Sequence, residues 1–320
     1  MSAGGGNRAI VAALAANIGI AVTKFAAYLL TSSSSMLAES IHSLADSGNQ
    51  VLLLIGGQRA KREADELHQF GFGRERYVYS FIVSIVLFSV GGLFALYEGY
   101  HKVHDPHGID NWKWVPIAVL VVAIVMESLS FRTAIVEANK LRGHVSWVKF
   151  VRNARAPELP VILLEDFAAL TGLVLALIGV VLTLVTGNGV FDGLGSMAIG
   201  ALLVCVAVFL AIEMKSLLLG ESATRESQAR IVAAIENTPG VQRLIHIKTL
   251  HLGPEEVLVA AKVGVEPTAD AAVVAETIDA AERAVRAAEP MSQHIYLEPD
   301  IFHQNHVPDE RPAVPEAPSH

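Results

Sequence analysis

The sequence predicts a mainly α membrane protein, with six transmembrane helices followed by a small cytoplasmic α+β domain. Three observations predict it. The 320 residues are 52% hydrophobic and only 18% charged, with a mean hydropathy of +0.45, a membrane-protein balance. Six apolar stretches before residue 220 are each long enough to cross a bilayer. From Glu221 onward the composition becomes that of a soluble domain. The net charge of -8, with the acids gathered toward the carboxyl end and no broadly basic stretch, argues against a nucleic-acid partner. The single cysteine, Cys205, lies in an apolar segment, so neither a disulfide framework nor a thiolate metal site is available.

Taken in order, the first span runs from Ala9 to Leu30 and is interrupted by Asn17 and Lys24. A single early arginine and no small-residue cleavage site make it an uncleaved span rather than a signal peptide. The serine run 31–35 turns the chain into a second span, Ser35–Gly57. The third is expected at Val78–Tyr100, the fourth at Val115–Ala138, the fifth at Val161–Val185 and the sixth at Phe191–Leu219. Arg59, Lys61, Arg62, Arg74 and Arg76 crowd the connection 58–77, and Lys140, Arg142, Lys149, Arg152 and Arg155 crowd 139–160. The alternate connections, 101–114 and 186–190, carry only Lys102 and Lys113. By the positive-inside rule the basic connections and both termini are cytoplasmic. The lack of an Arg- and Ser-rich leader points to a cell inner membrane rather than an organelle.

Beyond residue 220 the pattern reads helix, strand, strand, helix, strand. Thr224 caps a helix to Glu236, strand-like alternation occupies 241–252 and 257–265, Thr268 caps a helix over 269–288, and 293–298 is a third strand. That order fits a ferredoxin-like sheet with two helices on one face. The expected division is therefore a transmembrane domain at 1–220, a cytoplasmic domain at 221–298 and a proline-rich disordered tail at 299–320.

The chemistry concentrates in the second span. Glu39, His42, Asp46 and Asn49 are spaced three, four and three apart, which stacks them on one helical face among leucines and isoleucines. Ionisable groups inside a bilayer need partners, water or a bound cation. A His and an Asp one turn apart are a ready pair of metal ligands for zinc and its first-row neighbours, and the alternative is a polar seam between packed helices. The fifth span adds adjacent Glu165 and Asp166, which point about 100° apart on a helix, so only one can face the same neighbour. Either Asp166 completes a site with His42 and Asp46, or both acids are hydrated at the membrane boundary. Glu98 and Glu127 are isolated candidates. His68 near Asp65 and Glu66 is a weak loop site or a hydrated histidine. His246 and His251, five apart on a strand, face opposite ways and read as solvated surface histidines. His303 and His306 in the tail are non-specific metal collectors.

Four stretches carry a family resemblance: MLAESIHSLADSGNQVLLLIG, HQFGFGRERY, LLEDFAAL and GVFDGLGSMAIGALL. Together they resemble the cation diffusion facilitators, in the zinc transporter 9-like branch, over about Arg8 to Glu298. The resemblance implies a homodimer that exports a divalent metal, usually zinc, in exchange for protons. It implies transport ligands at His42 and Asp46, with a His-x3-Asp pair from the fifth span. Here Asp166 stands where that histidine is expected and Leu170 at the usual aspartate. Glu165 or a water is then left to fill the fourth position, with Glu39 and Asn49 in supporting roles. His246 falls at a possible family ligand but Tyr296 replaces another, so no cytoplasmic metal cluster is carried over.

The expectation is thus a divalent cation exporter with no bound cofactor and with Zn2+ as the transported ion, its partners being the metal ion, protons, lipid and a second copy. Iron, manganese or cobalt export is the alternative within transport. An intramembrane metal-dependent hydrolase lacks a recognisable base arrangement such as His-Glu-x-x-His, and a non-transporting membrane scaffold is the remaining option.

Overall fold

The computed structural model describes residues 3–106 and 112–302. The chain divides into two compact units, Met1–Gly220 and Glu221–His320. The first is all helix. Its long elements are α1 (Ala3–Thr31), α2 (Ser34–Arg59), α3 (Glu75–Val86) continuing through a π-helical stretch Leu87–Leu93 into α4 (Phe94–His104), α5 (Trp114–Arg142), α7 (Glu158–Thr186) and α8 (Val190–Leu219). Among the described residues, four helices have the length and hydropathy of a membrane span: Glu75–His104, Trp114–Lys140, Glu158–Thr186 and Val190–Leu219. An apolar stretch of α1 over Asn17–Thr31 and the polar-striped α2 complete the bundle. The protein is a multi-pass membrane protein.

α2 packs against α1, α3, α4, α7 and α8, which makes it the hub of the bundle. Its start is fixed by a run of serines. Ser33 is the N-cap, its hydroxyl accepting from the Met36 N–H at 3.3 Å. The π-helical stretch and α4 cross α8 at very short range: a Cβ on Gly92 would lie 2.7 Å from Val204 Cγ2, and one on Gly200 only 2.6 Å from the Leu96 nitrogen. With no hydrophobic drive between helices in lipid, such small-residue contacts supply the packing.

α7 begins at Glu158, three residues before the expected Val161, because Pro157 sits at its N-cap and Pro160 in its first turn, where no intrahelical N–H is needed. Glu165 and Asp166 therefore stand roughly 11 Å in from the helix start. The connection before α7 holds an unforeseen helix, α6 (Trp147–Asn153), started by Ser146, whose hydroxyl accepts from the Lys149 N–H. Phe150 of α6 packs on Ala134, Ala138 and Leu163.

The second unit runs α9 (Arg225–Glu236), β1 (Arg243–Gly253), β2 (Glu256–Gly264), α10 (Ala271–Ala288) and β3 (Ser292–Asp300). β1 and β2 are antiparallel, with Thr249 opposite Val259; β2 and β3 are parallel, with Val259 opposite Ile295. Val257, Val259, Ala261 and Val263 alternate onto one face and pack with Ile231 and Ile235 of α9 and Val285 of α10. The expected element order holds. α10 is capped by Asp270 rather than Thr268, its carboxylate accepting from the Val273 N–H at 2.9 Å. β3 runs through Pro299 and Asp300; the tail's remaining residues, 303–320, with His303 and His306, lie outside the described residues.

Candidate metal centre

The stripe on α2 turns inward, as its periodicity requires. Glu39 and Asn49 are fully buried and His42 is 1% exposed. His42 Nδ1 lies 3.5 Å from Asp46 Oδ1, one helical turn away. Gly91, in the π-helical stretch, borders the ring: a Cβ there would be in ordinary contact with His42 Nδ1 at 3.9 Å and tighter against Leu203 of α8 at 3.3 Å. Asn49 Nδ2 donates to Glu165 Oε1 at 2.6 Å, which ties α2 to α7. Ser130 of α5 donates to Asp166 Oδ2 at 3.2 Å, tying α7 to α5.

Between these three helices and α1, which contributes Asn17 and Ile20, lies a cavity of about 20 Å³. That is room for a single water or ion. Its walls carry Asp46 from α2, Glu127 from α5 and both Glu165 and Asp166 from α7, with Ser43 and Gln50 beside them. Glu165 is 5% exposed, so the fifth-span acids are not both hydrated at a boundary. Glu127 had stood as an isolated acid in sequence, but the α5 to α7 packing delivers it to the cavity. Glu98, on α4, is half-buried.

Among the described residues, no three His, Cys, Asp or Glu side chains converge tightly enough to hold a metal as they stand. The geometry pairs His42 with Asp46, Glu165 with Asn49 and Asp166 with Ser130. A ligand shell requires oxygens and nitrogens at about 2.0–2.2 Å from an ion, so holding one here would require these side chains to move inward.

Two further charges in the bundle escaped the sequence reading. Lys24 was visible only as an interruption of the first span; it is 3% exposed and paired with Glu39 at 2.9 Å. The signal was there, since a lysine within an apolar span needs a counter-charge. Asp192 of α8 is fully buried and receives Ser33 Oγ at 2.8 Å, the Ser34 N–H at 2.7 Å and the Ser35 N–H at 3.2 Å. It thereby caps the amino end of α2 and sits at the positive end of that helix's dipole.

The loop and domain histidines behave differently from one another. His68 is exposed beside Asp65, with Nδ1 and Oδ1 3.0 Å apart. Hydrogen bonds from the His68 backbone N–H and ring hold the Asp65 carboxyl below its usual range. His246 is exposed. His251 is 2% exposed with Nδ1 3.2 Å from the Gly253 carbonyl, so it is a core residue and not the expected surface histidine, because β1 turns its last residues into the domain.

A helical bundle that encloses an acidic, ion-sized cavity defines a polytopic membrane protein of the cation efflux class, and the chain belongs to the cation efflux family: residues 10–219 match that family's transmembrane domain. It is 36% identical over 245 residues to the mitochondrial proton-coupled zinc antiporter SLC30A9 of Homo sapiens, covering 75% of this chain and 42% of that protein. It is also 28% identical over 249 residues to metal tolerance protein C4 of Arabidopsis thaliana, covering 77% of this chain and 54% of that one. The match thus spans about half the length of these relatives, or less. A nickel form of a MamM CTD variant is 24% identical with a TM-score of 0.24, covering 25% of this chain and 100% of that domain.

Proposed function

We propose that the protein exports a divalent cation, zinc foremost, in exchange for protons, by alternating access. The observation that carries this reading is the ion-sized cavity walled by Asp46, Glu127, Glu165 and Asp166 from three separate helices, with His42 behind Asp46. Similarity to a proton-coupled zinc antiporter supports zinc. In this reading Asp46, Asp166 and His42 take the dehydrated ion, Glu165 supplies a further oxygen, and Asn49 positions Glu165. Metal binding needs neutral imidazole and ionised carboxylates, so protons leave as the ion arrives and proton exchange follows from that competition.

The basic connections 58–77 and 139–160 support placing them, with both termini, on the cytoplasmic side of a cell inner membrane. We assign the carboxyl-terminal unit to pairing two copies; exposed Tyr296 on β3 supports this, as an amphipathic aromatic of the kind enriched at interfaces.

A second reading has an observation of its own. The cavity wall is rich in carboxylate oxygen, and oxygen-rich sites shift preference toward harder ions such as manganese and iron(II). Flux in proteoliposomes under an imposed proton gradient, with zinc, iron, manganese and cobalt in turn, ranks the ions. Asp46→Ala and Asp166→Ala should each abolish saturable flux while the protein remains folded. Undiminished flux in both variants sinks the site assignment, and no flux of any ion in the wild type sinks the transport reading.

A further inference from the structure

Lys24 is a cation within the bundle that the transport reading leaves without a task. Its ammonium donates to Glu39 Oε2 at 2.9 Å and to Ser43 Oγ at 2.8 Å. Those two acceptors are one turn apart on the α2 face that also presents His42 and Asp46. Ser43 lines the acidic cavity together with Asp46 and Asp166, so the lysine stands immediately behind the cavity wall.

Glu39 is fully buried, and its second oxygen, Oε1, has no hydrogen-bond partner among the described residues. Gly172 of α7 faces that oxygen so closely that a Cβ would lie 2.8 Å from it. A buried carboxylate with one bare oxygen is costly to maintain. The ammonium offsets that cost, and its contact with Ser43 places the same charge beside the ion cavity.

We propose that Lys24 is a tethered counter-cation that tunes how tightly the cavity holds its cargo. The inference rests on the transport reading above. A site that passes ions must bind them well enough to load and weakly enough to release. A wall of carboxylates errs toward tight binding, and a resident positive charge corrects it. For a unit charge and a divalent ion on the order of 10 Å apart at an effective dielectric of about 20, the repulsion alone changes affinity by roughly 300-fold, an upper bound that the opposite charge of Glu39 reduces.

The test is zinc flux in proteoliposomes for wild type, Lys24→Gln, Lys24→Arg, Glu39→Gln and the double variant Lys24→Gln/Glu39→Gln, reading KM and maximal rate separately. Removing the positive charge should lower KM by about 10-fold or more and slow turnover, whereas removing the negative charge should raise KM. The double variant should fall between the two, and Lys24→Arg should stay near wild type. KM does not depend on how much protein assembles, so partial misfolding leaves the readout intact. Single variants that shift KM in the same direction, or leave it unmoved, overturn the inference while the transport reading stands. Failure of both single variants to assemble, with the double variant assembling, shows a purely structural pair and also overturns it. A wild type that moves no zinc overturns both.

Discussion

At the scale of single residues, the centre depends on hydrogen bonds that aim carboxylates. The Asn49 to Glu165 bond is short and wholly buried, whereas the Ser130 to Asp166 bond is longer and more exposed. Replacing Asn49 by Ala leaves Glu165 without its donor, which should cost about 1–3 kcal/mol, against about 0.5–1.5 kcal/mol for Ser130→Ala. Thermal unfolding in detergent measures the difference; equal losses would mean that the two bonds contribute alike and that burial does not set the ranking. The i,i+4 pairing of His42 with Asp46 was legible because helix geometry alone places those residues together. The meeting of Glu127 with Asp166 was not, since nothing local to either span says that α5 packs on α7.

At the scale of elements, the decisive contact is the cap that α8 places on α2. Asp192 lies more than 150 positions from the serines it binds, yet it receives the backbone N–H groups of Ser34 and Ser35, while Ser33 serves Met36. Replacing Asp192 by Ala removes a charged cap from the first turn of the helix that carries His42 and Asp46. A loss of about 1–2 kcal/mol is expected, with fraying confined to that turn. Amide hydrogen exchange over residues 34–37 should speed up while α5 remains protected; uniform protection across α2 would contradict the cap's role. Helix identity was readable from apolar length, but the early start of α7 was not. It depends on prolines that a hydropathy reading counts as interruptions, although they are tolerated in a first turn. Likewise α6 is too short to announce itself by periodicity.

At the scale of the whole molecule, coupling and assembly set the predictions. In the proposed transport cycle protons and the divalent ion compete for Asp46, Asp166 and His42, so that proposal requires that raising the pH on the loading side increase cation flux and lowering it reduce flux. A flux independent of pH on both sides would exclude proton competition at the centre. For assembly, Tyr296→Arg puts a charge where pairing is proposed. It should shift the detergent-solubilised protein from two copies toward one in light scattering, while the fold of the second unit is kept by its α9 and α10 packing. An unchanged mass would move the interface elsewhere.

The sequence by itself determined the membrane class, the succession of long helices and of the second unit's helices and strands, the family, and the polar stripe on α2. All of these follow from local spacing, composition or short motifs. Only the tertiary structure decided which acids share a cavity, what Lys24 pairs with and how α2 is capped. Those facts depend on which helices pack together, and in a bilayer such packing turns on glycine-to-backbone contacts and a few buried polar bonds rather than on hydrophobic patterning, which is nearly uniform across the spans.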